Sequence, residues 1–142
     1  MTISPPPIVD ELVDDNKKAK MSWSLFFNAM YNGDSGEAWT PTFVSLTEVG
    51  TPIITGRYYQ ISNYLTLFNI TITPSTSTSA TAGTTYMDNF PLNFTGDGIV
   101  FAVSGGLGSG SGHIISSTNR VYVPAWSGVT VPLTLIGICE AN

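Results

Sequence analysis

The feature that most constrains this fold is a change in periodicity near residue 40. Before it, apolar residues recur at helical spacing, whereas after Pro41 they alternate with polar residues, as in residues 68–73, FNITIT. Alternation with a period of two indicates strands that have one buried and one solvated face. We therefore predict an N-terminal arm and helix over residues 1–38 and a β domain over residues 39–142.

Seven predicted strands in the β domain are short and are bounded by turn-forming residues. They cover residues 42–48, 57–62, 64–73, 98–104, 113–117, 120–123 and 132–140. Ser62-Asn63 is expected to form a tight hairpin turn. Because no helical segment interrupts these strands, we predict an all-β fold, a β-sandwich of jelly-roll type. Two uncharged segments, residues 74–84 and 105–112, are expected to be loops.

The charge balance excludes several classes of partner. The net charge is −5, only 15 residues are formally charged, and Ser and Thr together number 33. A chain of this kind has no broad basic face for phosphate backbones, so we expect no nucleic-acid partner. The longest apolar runs are far shorter than the roughly 18–20 residues that span a bilayer, so we expect no membrane insertion. The first residues lack the features of a secretory signal, and none is predicted.

The residues that carry chemistry are too sparse to predict a reaction centre. His113 is the only histidine, and the carboxylates of the β domain are widely spaced along the sequence. A glycosidase needs two opposed carboxyl groups, whereas Asp88 and Asp97 are typical of turn residues. The glycine-rich run lacks the Lys-Ser/Thr that completes a phosphate-binding loop. We therefore predict no catalytic residue, no cofactor and no metal site, and we interpret Cys139 as a buried core residue.

The N-terminal segment carries apolar residues that indicate assembly. Pro5–Pro7 favours an extended arm, and a short apolar stripe follows it. A second helix is predicted from Ser22, a suitable N-cap, to Asn32, and its apolar residues cover most of its circumference. The predicted assembly residues are Ile8, Leu12, Trp23, Phe26, Phe27 and Met30. The alternative is that the aromatic residues of this helix cap the core of the β domain.

Residues 98–103 are apolar on both faces of their predicted strand, and so is the end of the last strand. A two-layer sandwich buries only one face of each sheet, so the second face needs a cover. Burial between subunits is one explanation. A loop or the N-terminal helix lying over a central strand is the other.

Three aromatic residues lie next to predicted turns, where a ring can meet a sugar. They are Tyr86, Tyr122 and Trp126. We interpret them as candidate contacts for a receptor or for another surface, with core packing as the alternative for each.

Several spaced motifs of the β domain resemble one known module. These motifs are Trp39–Phe43, Val49–Pro52, Thr55–Ile61, Ile70–Pro74, Ser79–Tyr86 and the closing Gly137–Asn142. They are similar to a β-rich module of tailed-bacteriophage structural proteins, found in the distal domains of tail fibres, tail spikes and tail needles. The resemblance implies a homotrimer whose outer loops face the host surface or decorate the virion.

The leading hypothesis is therefore a non-enzymatic virion protein of the tail-fibre or tail-tip type, assembled in the host cytoplasm. Its N-terminal segment would dock on other tail or head proteins and expose the β domain, with a host surface glycan as a further partner. The first alternative is a capsid head fibre or decoration protein. The second is a carbohydrate-binding module that acts through Trp126 and nearby tyrosines, and the third is a glycan hydrolase.

Overall fold

The computed structural model describes residues 36–62, 65–104 and 107–142, with the backbone alone for residues 107–109. The predicted N-terminal helices and all six predicted assembly residues lie outside this part of the chain. Twelve strands are described: β1 (Glu37–Trp39), β2 (Phe43–Val44), β3 (Thr47–Val49), β4 (Ile53–Ser62), β5 (Leu65–Thr73), β6 (Ser77–Ala80), β7 (Tyr86–Met87), β8 (Gly98–Ser104), β9 (Leu107–Ile115), β10 (Arg120–Tyr122), β11 (Trp126–Val129) and β12 (Leu133–Cys139). A single 3-10 turn, Ser116–Thr118, separates β9 from β10.

The strands form two antiparallel sheets, so the prediction of an all-β fold is confirmed. The larger sheet has nine strands in the order β1-β4-β5-β12-β8-β9-β10-β7-β2, and the smaller has three in the order β11-β6-β3. Strand β12 lies between β5 and β8 and pairs with β5 over its whole length, from Leu133↔Ile72 to Cys139↔Thr66. The last strand of the chain therefore connects the two halves of the larger sheet.

One continuous core lies against the inner face of the larger sheet, and both sheets contribute to it. Ile70 and Leu135 of the larger sheet are fully buried, and Ala80 and Trp126 of the smaller sheet belong to the same cluster. At one end, Phe90 packs edge-on against Trp39 with ring centroids 5.3 Å apart. Alternation along β5 and β12 produces this face, because every second side chain of a strand points to the same side.

Strands β4 and β5 pair antiparallel from Ile53↔Thr73 to Ser62↔Leu65, as the predicted hairpin requires, whereas Asn63 of the predicted turn lies outside the described residues. The predicted strand over residues 42–48 is instead broken into β2 and β3, because Ser45 adopts a left-handed conformation with φ of 60°. The prediction of a loop over residues 74–84 is wrong for β6. Hydroxyl-rich residues form this strand, which pairs on both sides, with β3 and with β11.

The prediction of a loop over residues 105–112 is also wrong from residue 107 onward, because that segment is the first part of β9. Packing around Gly112 shows why a glycine-rich segment can form a strand here. A Cβ there would overlap the Tyr122 carbonyl oxygen of β10 and lie 2.9 Å from Val100 Cγ1 of β8. The absence of a side chain therefore allows β9 to pack closely between its two neighbours.

Candidate interaction surface

The outer face of the larger sheet, which points away from the core, carries four exposed apolar side chains at its centre. Ile99 and Phe101 of β8 are 40% and 44% exposed, and Ile136 and Ile138 of β12 are 44% and 42% exposed. Register places them side by side, because Ile136 pairs with Phe101 and Ile138 pairs with Ile99. We call these four residues the outer apolar patch.

The outer apolar patch is surrounded by uncharged residues. On β5, Leu67 pairs with Ile138 and Asn69 pairs with Ile136, and on β9 Ser111 pairs with Phe101. The described outward-facing residues of β5, β12, β8 and β9 include no Asp, Glu, Lys or Arg. At these exposed fractions the four side chains leave roughly 350 Å² of apolar surface uncovered, a size that on a monomer often marks a contact site.

A depression of about 490 Å³ lies next to the patch, lined by Phe101, Ala102, Val103, Gly110 and Ser111. It occurs where the register of β8 against β9 shifts between Phe101 and Val103. A register shift of this kind bends the strand locally and interrupts an otherwise flat surface. The depression is large enough to receive an aromatic side chain from another segment.

A second surface on the same face consists of stacked rings on β7, β9 and β10. Tyr86 and Tyr122 are directly paired, and their ring centroids are 5.4 Å apart. His113 stacks on the other side of Tyr122 at 5.0 Å with an interplanar angle of 17°. The Arg120 guanidinium lies 4.3 Å from the centre of the Tyr86 ring, and its Nη1 donates to the Tyr122 hydroxyl at 3.4 Å. We call these four residues the aromatic strip.

Tyr86 and Tyr122, two of the three predicted contact residues, thus lie side by side, whereas Trp126 lies apart from them. Trp126 is only 6% exposed, belongs to the core, and donates its indole N–H to Thr78 Oγ1 at 3.2 Å. Its ring has no free face for a sugar, so we exclude it from the contact surface. His113 and Arg120 were not predicted as neighbours of Tyr122, although the spacing of Arg120 and Tyr122 places them on one face of a strand.

The acidic residues of the β domain have structural roles where their contacts are described. Asp97 accepts hydrogen bonds from the Ser116 backbone N–H at 2.9 Å and from Ser116 Oγ at 2.8 Å, and these bonds lower the pKa of its carboxyl group. It therefore fixes the start of the 3-10 turn. Among the described residues, no group of three or more His, Cys, Asp or Glu side chains could hold a metal ion.

Cys139 is buried in the core, as the sequence predicts. Burial raises the pKa of its thiol to about 12. A thiol of this kind carries almost no thiolate at neutral pH and is therefore unreactive.

No protein-family model, curated protein or solved structure matches this chain. In the part of the chain that the structure describes, no helix has the length and apolar character needed to cross a membrane. The outer apolar patch and the aromatic strip are therefore the observations from which a function is argued.

Proposed function

We propose that this chain is a structural subunit of a bacteriophage virion, in an appendage of the tail-fibre or tail-tip type. Its N-terminal segment docks on other virion proteins, and its β domain assembles as a homotrimer of jelly-roll sandwiches. The motifs between Trp39 and Asn142 support the phage assignment through their resemblance to tail-fibre modules. The outer apolar patch supports the assembly role.

The outer apolar patch is the observation that carries the proposal. An exposed Ile or Phe by itself is ordinary, but four of them in two adjacent paired positions on central strands form a continuous surface. The four side chains of the patch provide no polar group that could orient a substrate or a small ligand. A subunit of a larger assembly gains from such a surface, because the packing of its docking segment and of neighbouring proteins on this face removes that area from water.

The rest of the surface suits an exposed virion part. From Pro41 to Asn142 only six residues are formally charged, and hydroxyl and amide side chains provide most of the polar surface. Surfaces of this composition depend little on salt and pH, because few groups titrate or are screened. A particle that persists outside a cell benefits from both properties.

The test has two measurements. Sedimentation equilibrium of the full chain should give three times the mass of one chain, and peptide mass spectrometry should find the chain in purified virions at the abundance of the known tail proteins. Imaging of labelled protein on the particle then separates a tail position from a head position. A monomer at all concentrations that is absent from purified virions would overturn the proposal.

The aromatic strip favours a second candidate function, which is contact with a carbohydrate. Sugars pack against aromatic side chains, Tyr86 and Tyr122 are half-buried, and the Arg120 guanidinium beside them can donate hydrogen bonds to hydroxyl or carboxylate oxygens. In a glycan array, Tyr122→Ala should abolish binding. Tyr59→Ala, at another position of the outer face, is the matched control and should retain it. Equal binding by both variants would exclude the strip as a sugar site.

A further inference from the structure

We propose that residues 22–32 of the same chain cover the outer apolar patch, packing across β12 and β8 on the outer face. This inference rests on the proposed function and deepens it: the docking segment packs on the outer apolar patch with one side and, because its apolar residues cover most of its circumference, presents the other side to neighbouring virion proteins. It also decides between the two explanations that the sequence left open for the apolar second face of β8. The cover is the chain's own N-terminal segment.

The first argument is the point at which the N-terminal segment enters the described fold. Gly36 has a φ of +64°, and a Cβ on it would lie 2.8 Å from Cε1 of the Tyr59 ring. Tyr59 follows the buried Tyr58 on β4 and therefore points to the outer face. Gly36, the first described residue, therefore lies beside a ring of the outer face.

The second argument is register. Tyr59 pairs with Leu67, Leu67 pairs with Ile138, and Ile138 pairs with Ile99. Gly36 therefore lies at one end of a cross-strand row whose other end is in the outer apolar patch. A segment that turns at Gly36 onto the outer face and follows this row reaches the patch.

The third argument is length. Neighbouring strands are about 4.8 Å apart, so the row from Tyr59 on β4 to Ile99 on β8 spans about 14 Å. Three linker residues, 33–35, reach about 10 Å when extended. A helix of eleven residues is about 16 Å long and about 10 Å wide, enough to cover both paired rows of the patch.

The fourth argument is chemical complementarity. Residues 22–32, SWSLFFNAMYN, carry no formal charge, and neither do the described outward-facing residues around the patch. Residues 10–20, by contrast, contain seven of the 15 charges of the chain and do not suit this surface. The depression beside Phe101 provides a place for one of the aromatic rings of the segment.

The fifth argument favours residues 22–32 of the same chain over a second copy of the chain as the cover of the patch. A stable interface between two separate proteins buries about 800 Å² on each partner, of which roughly 450 Å² is apolar, whereas the patch offers roughly 350 Å² of apolar surface. A short tether instead gives a covalently attached segment an effective concentration in the millimolar range. A patch of this size is therefore sufficient for its own segment.

Disulfide trapping in the full chain tests the inference. Ile136→Cys is combined in turn with a single cysteine at each position from Trp23 to Met30, and each variant is oxidised at low micromolar concentration. The buried native Cys139 does not interfere, because its thiol is unreactive. We expect disulfides within one chain at positions spaced three or four residues apart, detected by intact mass on monomer bands of non-reducing gels.

In the matched control, Ala82→Cys replaces Ile136→Cys as the partner of each cysteine in the N-terminal segment. Ala82 is an exposed residue in the turn between β6 and β7. These pairs should not form disulfides. Disulfides that join two chains would show that a second copy is the occupant, and absence of disulfides at every position would show that the segment lies elsewhere. Either result overturns the inference.

Alkylation kinetics provide an independent measurement. The thiol of Ile136→Cys should react at least ten times faster when Trp23, Phe26 and Phe27 are all replaced by serine, whereas that of Ala82→Cys should react at the same rate in both backgrounds. An unchanged rate at position 136 would contradict the inference. Neither experiment depends on trimer mass or on virions, so a failed proposed function and a failed inference give different results.

Discussion

Gly137→Ala tests the packing of the larger sheet at its centre. Gly137 of β12 is paired with Phe68 of β5, and the Phe68 ring lies over the glycine on the inner face. A Cβ at this position would be 2.6 Å from Cε2 of that ring and closer still to Cζ and Cε1. Three ring atoms would therefore have to move.

The Phe68 ring has little room to move. It is 1% exposed, and its centroid lies 5.1 Å from that of Phe90 and 6.4 Å from that of Trp39. Overpacking a dense core costs typically 1–3 kcal/mol, and removal of a flexible glycine from a strand returns about 0.5–1 kcal/mol. We expect a net loss of about 1 kcal/mol in the free energy of unfolding, or roughly 3–6 °C in Tm for a chain of this size.

Urea denaturation followed by circular dichroism, at one fixed protein concentration, measures this loss. The matched variant is Phe68→Leu, alone and combined with Gly137→Ala, because a smaller side chain makes space for the new methyl group. The double variant should be more stable than the sum of the two single losses predicts, by about 1 kcal/mol. A Gly137→Ala protein as stable as the parent, or strictly additive losses, would refute the packing argument.

Three further predictions concern titratable groups. Burial and then the hydrogen bond to the Glu37 carboxylate raise the pKa of Tyr58 to about 12. The stability that the protonated side chain contributes should therefore be complete below pH 10 and should fall between pH 10 and 12. The urea midpoint of Tyr58→Phe should lack this decline, and an unchanged decline would contradict the role of Tyr58. The pKa of Asp97 is lowered by its bonds to Ser116, so Asp97→Asn should lower Tm at pH 7, and this difference should shrink as the pH falls below the ordinary carboxyl pKa and vanish only below the lowered pKa of the folded protein. An equal effect at every pH would show that the charge is irrelevant. Cys139 should resist iodoacetamide at pH 8 in the native protein and react fully in concentrated urea, and rapid native labelling would contradict its burial.

The strands that the sequence predicts best are those with regular alternation. Residues 57–62 and 65–73 belong to the paired strands β4 and β5, and residues 132–140 contain β12, because β-branched and aromatic residues alternate with polar ones in these segments. The apolar character of residues 98–103 on both faces also predicted an uncovered surface, and the exposed Ile99 and Phe101 agree with that expectation.

Strands rich in small polar residues were not predictable from apolar periodicity. Thr78 of β6 is 1% exposed. Its hydroxyl group can be buried without a large cost, because it accepts a hydrogen bond from Trp126 Nε1. A hydropathy pattern treats this threonine as surface and this tryptophan as a free aromatic residue, since it contains no information on their contact across 48 positions. The pairing that joins Phe101 to Ile136 is also long-range, so the position of the patch required the fold.

The central position of β12 has a consequence for how this protein is made. In the described sheet, β1, β4 and β5 on one side and β8, β9, β10, β7 and β2 on the other are linked through β12 alone. A ribosome that has not yet produced residues 133–139 therefore holds two unfinished half-sheets, each with a long open edge. Open edges recruit strands from other molecules. Premature termination before Leu133 should yield aggregates in place of a smaller working domain, and nascent chains need protection until this strand emerges.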